Sequence, residues 1–225
     1  MKTCIESGED RPNSRPVGAP ARQFPICNGC ARRHRRRLLM PLIIAAFLCL
    51  WLFWIVYWTA SAGGNKRTLH QINPIWRALA IVFVVLVYAA IRHDPAYFNR
   101  RLLDQDLIRD VIGLVLTALG LLFSIWARRT LGTNWSANPT IKEGHELIQS
   151  GPYRWIRHPI YTGILLAVLG GNLADARIRD VYIFALVLTM LLLKLRVEER
   201  LLVRQFPEAY IPYRKRTKAL IPFVF

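Results

Sequence analysis

LLMPLIIAAFLCLWLFWIVYWTA, Leu38 to Ala60, is a run of 23 residues without a charge. At about 1.5 Å of rise per residue it is long enough to cross the hydrocarbon core of a bilayer. Four shorter apolar stretches lie C-terminal to it. Residues 78–91 reach span length once Pro74, Ile75 and Trp76 are included and Arg77 snorkels. Residues 111–127 are closed by Arg128 and Arg129, residues 160–174 contain Gly163, Gly170 and Gly171, and residues 181–193 run into Lys194 and Arg196. The last two stretches are separated only by Asp175 to Asp180, a spacing that predicts a tight helical hairpin. The expected fold is all-α: a polytopic membrane bundle of about five transmembrane helices, followed by a helical C-terminal segment.

Composition supports a membrane class and excludes others. The chain has 225 residues, 31 Lys and Arg against 14 Asp and Glu, a net charge of +17 and a hydrophobic fraction of 53%. Charge alone would suggest nucleic acid as a partner, but a mean hydropathy of +0.25 and repeated span-length apolar runs argue against it. The abundance of Leu, Ile, Val, Phe and Trp also excludes disorder for most of the chain. The first apolar run is too long for a signal-peptide core and lacks a small-x-small cleavage site after it, so it is expected to be retained.

The ends of the chain differ in kind. Residues 1–37 are rich in Pro, Gly, Ser and charge and finish in the string Arg32, Arg33, His34, Arg35, Arg36, Arg37. They are expected to form a disordered basic tail, and Met40 offers an alternative start. Residues 38–109 then hold two spans with their loops, and 110–225 the core. With five spans, fifteen Lys and Arg fall on one side and sixteen on the other, a tie under the positive-inside rule. Setting the tail aside leaves six against sixteen. That places the 128–159 loop and the C-terminus in the cytoplasm, the membrane expected being a bacterial inner membrane. Cys27-Asn-Gly-Cys30 with His34 has a metal-like look but lacks a fourth ligand, so no metal site is expected.

Chemistry concentrates in GHELIQSGPYRWIRHPIYTG, Gly144 to Gly163, a polar segment that ends at a membrane helix. Pro159 suits a first helical turn, where its missing N–H is not needed. His158 and Tyr161, three residues apart, share a face if that turn is helical. A second polar cluster, Lys194, Arg196, Glu198, Glu199 and Arg200, emerges from the last apolar run. Adjacent carboxylates there need water, a cation or a polar cavity. Being about 100° apart on a helix, one is expected inward and one solvated. A hairpin returns this cluster to the membrane face that carries Arg157 and His158. From Glu198 to Tyr213, Leu201, Leu202, Phe206, Tyr210 and Tyr213 recur at helical spacing, as in a surface helix or a lid. Singly, each of these residues also suits a helix end or an interfacial aromatic belt.

The ordered set Gly151-Pro152-Tyr153, Arg157-His158-Pro159-x-Tyr161-x-Gly163, Glu198-Glu199, Phe206-x-x-x-Tyr210-x-x-Tyr213 and Leu220-Ile221-Pro222 resembles the isoprenylcysteine carboxyl methyltransferase family over residues 110–225. Membrane enzymes that methylate phospholipid head groups share its Arg-His-Pro and Glu-Glu parts. The resemblance implies a membrane methyltransferase using S-adenosylmethionine on a lipidated or amphiphilic acceptor at the bilayer. Carried over by position, Gly151, Tyr153, His158 and Tyr161 line the cofactor pocket, and Glu198 or Glu199 binds the cofactor's amino group. The backbone of His145, Leu147 and Ile148 faces adenine. Arg157 orients the acceptor, with Arg196 or Lys194 as a second cation.

A carboxylate acceptor is already an anion and needs no base, whereas an amine acceptor would make His158 or a Glu a candidate base. Phospholipid N-methylation and small-thiol S-methylation are the neighbouring readings. A membrane reductase, which would be expected to be larger, and a non-enzymatic protein binding anionic lipid through its tail are the rivals from other classes. No glycine-rich phosphate loop or strand-helix nucleotide unit is present to suggest a soluble-type methyltransferase.

Overall fold

The computed structural model describes residues 28–61, 68–71, 94–104, 106–132, 140–142 and 147–221, together with isolated positions between 82 and 93. In chain order the elements are α1 (Asn28–Ala60), β1 (Thr68–Gln71), α2 (Pro95–Phe98), α3 (Leu107–Leu131), β2 (Thr140–Lys142), a 3₁₀ turn (Gly151–Arg154), α4 (Pro159–Asp175), α5 (Ile178–Gln205) and α6 (Pro207–Arg216). The protein is helical, as expected. It adds one feature that an apolar periodicity cannot announce, the antiparallel pairing of β1 with β2. α1 begins at Asn28, so the arginine string is continuous with the first span. The second expected span, 78–91, falls largely outside the described residues.

Two of the described helices are long and apolar enough to cross a bilayer: Leu38–Ala60 within α1, and α3. No residue of the α1 window is buried, against 39% of the α3 window. Leu38, Leu42, Leu48, Leu52 and Phe53 are each at least 60% exposed, an apolar surface that lipid solvates and water does not. The stretches at 160–174 and 181–193 fall inside α4 and α5. The hairpin between them is tighter than the sequence suggests, since only Ala176 and Arg177 separate the helices. Ala176 turns the chain in the left-handed region at φ 50°. Asp175 holds the turn by accepting from Arg177 Nε at 3.0 Å and Arg179 Nη2 at 2.6 Å.

The core of the fold is the α3–α4 seam. Gly113, Thr117, Gly120 and Ser124 recur at helical spacing on α3 and are buried; Gly163, Ala167, Gly170 and Ala174 repeat the spacing on α4. Small residues in this pattern let two backbones approach until van der Waals contact and polar side chains hold them. A Cβ built at Gly120 would lie 2.5 Å from both the Gly163 carbonyl oxygen and the Ala167 nitrogen, and one at Gly170 would lie 2.5 Å from the Gly113 carbonyl oxygen. Thr117 Oγ1 donates across the seam to the Ala167 carbonyl at 3.0 Å. α1 also packs against α3, where Trp54 Nε1 donates to Ser124 Oγ at 2.7 Å. Arg128 lies in the last turn of α3, as expected of a residue that closes the span, but it is buried and donates to the carbonyls of Gly132 at 2.8 Å and Ser61 at 2.6 Å, tying the ends of α3 and α1 together.

Candidate functional site

At one end of the seam the chain changes from small residues to charged ones. His158 is the N-cap of α4 and Pro159 its first residue, so the imidazole stands where the 3₁₀ turn, α4 and the end of α5 meet. Its ring is 7% exposed and stacks on Tyr161 at 5.4 Å with planes 6° apart. The expected shared face is therefore formed.

Glu198 and Glu199 depart from expectation. Rather than one inward and one solvated, both reach His158, on opposite edges of the ring. Glu198 Oε2 lies 3.5 Å from Nδ1, and Glu199 Oε1 lies 3.6 Å from Nε2. The 100° between neighbouring helix positions does not separate them, because the imidazole presents a nitrogen to each side. Tyr161 Oη donates to Glu198 Oε1 at 2.6 Å. Lys194 Nζ sits 3.9 Å from that oxygen and 5.5 Å from the Tyr161 ring centroid.

Arg157 completes the cluster from the other side. Its Nε donates to Glu199 Oε1 at 2.7 Å, and its Nη1 donates to the carbonyls of Arg214, at 3.1 Å, and Thr217. Arg214 Nε lies 3.5 Å from Glu199 Oε2. The backbone after α6 is splinted to the same loop: Arg157 N donates to Lys218 O at 2.8 Å and His158 N to Ala219 O at 3.0 Å. Thr162 Oγ1 donates to Leu220 O at 2.6 Å. Tyr213 Oη donates to the Tyr153 carbonyl at 2.7 Å, fastening α6 to the 3₁₀ turn. The motifs spread from Gly151 to Leu220 are thus one clamp.

The charges of this clamp are mutually set. Burial works to lower the His158 pKa, but the flanking carboxylates of Glu198 and Glu199 outweigh it and hold the ring above the ordinary imidazole value. Burial likewise pushes the Glu199 carboxyl up, yet His158 and Arg157 bring it down to about 2. Glu198 is lowered too, its burial overcome by His158 and Lys194. Burial raises the phenols of Tyr210 and Tyr213, the latter to about 12. Both remain neutral donors near pH 7.

Two cavities adjoin the clamp. The inner one, of about 500 Å³, is lined by Arg157, Leu192, Leu195, Arg196, Glu199 and residues of the α6 C-terminal segment, among them Arg214, Thr217 and Lys218. The outer one, of about 420 Å³, is lined by Arg196, Glu199, Arg200, Val203, Arg204 and Arg214.

Of the residues expected in the site, Arg157, Arg196 and Glu199 face the inner cavity, and His158, Tyr161 and Glu198 lie in the clamp behind them. Gly151, at φ 58°, opens the 3₁₀ turn; Tyr153 is buried in it, and Ile148 packs on the core. Leu147 is half-buried before that turn. None of these four lines either cavity. His145 lies outside the described residues. Sequence reasoning missed Arg214, Thr217 and Lys218. Their only sequence signal is the basic run ahead of Leu220-Ile221-Pro222. It also left Tyr210 as a lid residue, whereas its side chain is fully buried and its hydroxyl has no hydrogen-bond partner among the described residues.

Comparison with known proteins places these observations. Residues 108–209 match the phospholipid methyltransferase family model. The chain is 34% identical over 117 residues to a protein-S-isoprenylcysteine O-methyltransferase of Saccharomyces cerevisiae, covering 51% of this chain and 49% of the relative. It is 29% identical over 169 residues to protein-S-isoprenylcysteine O-methyltransferase B of Arabidopsis thaliana, covering 73% and 83%. A cobalt-zinc-cadmium resistance protein of Cupriavidus metallidurans is 27% identical over 165 residues, covering 72% and 68%. The chain spans about half the length of the yeast relative. The segment 108–209, which holds the seam, His158 and the Glu pair, matches the phospholipid methyltransferase family model, and the chain is similar to isoprenylcysteine methyltransferases.

Proposed function

We propose that the protein is a membrane methyltransferase that transfers a methyl group from S-adenosylmethionine to the carboxylate of an amphiphilic, isoprenylcysteine-type acceptor. The observation that carries the reading is the convergence of His158, Glu198, Glu199 and Arg157 beside a cavity of about 500 Å³, inside the segment that matches a methyltransferase family.

Residues present in the site fit such a methyl donor. The cavity is of ligand size, and two buried polar atoms, His158 Nε2 and Tyr210 Oη, have no hydrogen-bond partner among the described residues. Glu198 and Glu199 suit an ammonium group, and Arg214 and Lys218 suit a carboxylate. When bound, the cofactor supplies an electrophilic methyl on a sulfonium. The chain's own work is then orientation and exclusion of water. His158, pinned between two carboxylates that raise its pKa, is placed to position rather than to abstract a proton. That favours an acceptor that needs no base, a carboxylate, over a protonated amine. Arg196, on the cavity rim, is the cation best placed to orient it, because Arg157 Nε and Nη1 are already engaged with Glu199 and two carbonyls.

In this reading about five helices cross a bacterial inner membrane, and the clamp faces the cytoplasm, the basic side once the tail is set aside. The test is incubation of the purified protein in lipid with methyl-labelled S-adenosylmethionine and N-acetyl-S-farnesylcysteine. Label recovered as a base-labile ester supports the proposal. Label only on lipid amines would move the acceptor to phospholipid head groups, and label on neither would remove the proposal.

A further inference from the structure

The outer cavity shares Arg196, Glu199 and Arg214 with the inner one and adds Arg200, Val203 and Arg204, which the methyl-transfer reading does not use. Arg196, Arg200 and Arg204 follow one another at i, i+4 and i+8 on α5, so three like charges stack along a single helix face, an arrangement that repels itself. Arg214 closes the opposite wall. Among the described residues, no carboxylate or carbonyl pairs with the side chains of Arg196, Arg200 or Arg204. The one carboxylate in the wall, Glu199, is already engaged by Arg157 at 2.7 Å and by Arg214 at 3.5 Å. Arg196, Arg200 and Arg204 are all exposed to solvent, and they share one face of the helix rather than spreading around it. These converge on a concavity of about 420 Å³.

The depth of the cavity suggests what fills it. Arg196 to Arg204 stand about 5 to 16 Å beyond Leu193 along the helix axis, the level of lipid head groups and the water just outside them. We propose that this chamber binds the phosphate of an anionic membrane lipid, at a position separate from the methyl-accepting one. Guanidinium groups hold phosphate oxygens bidentately, and one phosphate among three unpaired arginines relieves their repulsion. Because Arg196 and Arg214 belong to both chambers, a bound head group also draws Arg214 away from Glu199. The inference does not depend on the methyl-transfer reading.

The test is titration of the full chain in neutral maltoside detergent with dihexanoyl phosphatidic acid, dihexanoyl phosphatidylcholine and inorganic phosphate. The expected result is at least tenfold tighter binding of phosphatidic acid than of either other probe. Arg200→Gln with Arg204→Gln should remove at least tenfold of that affinity and leave the phosphatidylcholine titration unchanged. Arg204→Lys, which keeps the charge but loses the fork, should fall between. Equal binding of phosphatidic acid and phosphatidylcholine, or a double variant that binds like the unaltered protein, would overturn the proposal. Inorganic phosphate matching phosphatidic acid would overturn the assignment to a lipid and leave a free-anion site.

Discussion

The α3–α4 seam and the clamp at its end are built from opposite materials. The seam joins two helices through Gly113, Gly120, Gly163 and Gly170, with contacts so close that a single methyl group has nowhere to go. The clamp joins four segments through His158, Glu198, Glu199 and Arg157, whose charges are costly to bury singly and stable only together. Close packing and an uncharged hydrogen bond hold the first, so it should be indifferent to pH. Protonation states hold the second, so it should respond to every charge removed. Rigidity at the seam fixes where α4 begins, and that in turn fixes His158. A precise polar site is therefore mounted on an element with almost no freedom to shift.

The largest effect is expected at the seam. Gly120→Leu would drive a side chain into the α4 backbone and should leave no folded protein in detergent. Gly120→Ala should cost about 3 kcal/mol or more by thermal unfolding. A protein that tolerated Gly120→Leu would show that the seam is not close-packed.

Next comes Arg157→Ala, which strips Glu199 of its nearest cation and releases the carbonyls of Arg214 and Thr217. Loss of one partner of a buried pair costs about 3–5 kcal/mol, read from the melting curve. Arg157→Lys should recover only part of it, because an ammonium cannot serve a carboxylate and two carbonyls in one fork.

A pH series separates the two regions without mutation. The pKa of His158 is raised by folding, so its contribution is complete below the ordinary 6.5 and is lost as pH climbs through the raised value. The Glu199 pKa is lowered, so its contribution is complete above the ordinary 4.5 and is lost as pH falls towards about 2. Stability should therefore be greatest between these limits and fall on both sides. His158→Gln should flatten the alkaline limb, and seam variants should shift the whole curve without changing its shape.

The smallest effect belongs to the α1 contact. Trp54→Phe removes the bond to Ser124 and should cost about 1 kcal/mol.

Legibility in the sequence followed the same division. The apolar runs at 38–60 and 111–127 announced themselves because a lipid-facing helix must be apolar over its whole length. The clamp was legible as an ordered set of motifs, which named His158, Tyr161 and Glu199 but not their contacts. That both carboxylates meet one ring could not be read from a helical wheel, since it depends on which ring nitrogen faces which residue. Arg128 was legible as a helix end, but not its burial, since a basic residue after an apolar run ordinarily faces an interface and here it turns back to the carbonyls of Ser61 and Gly132. Arg214 and Thr217 were invisible for a different reason. Their role comes from a chain end that folds back onto residues 156–158, and no local pattern encodes a contact some 60 residues away.

Isothermal titration of the purified protein in detergent with S-adenosylmethionine tests the central claim most directly. The account predicts saturable binding by the unaltered chain, and at least a tenfold loss when His158→Ala and Glu199→Ala are combined in a protein that keeps its helical circular dichroism. Absence of binding by the unaltered chain, or undiminished binding by the combined variant, would contradict it.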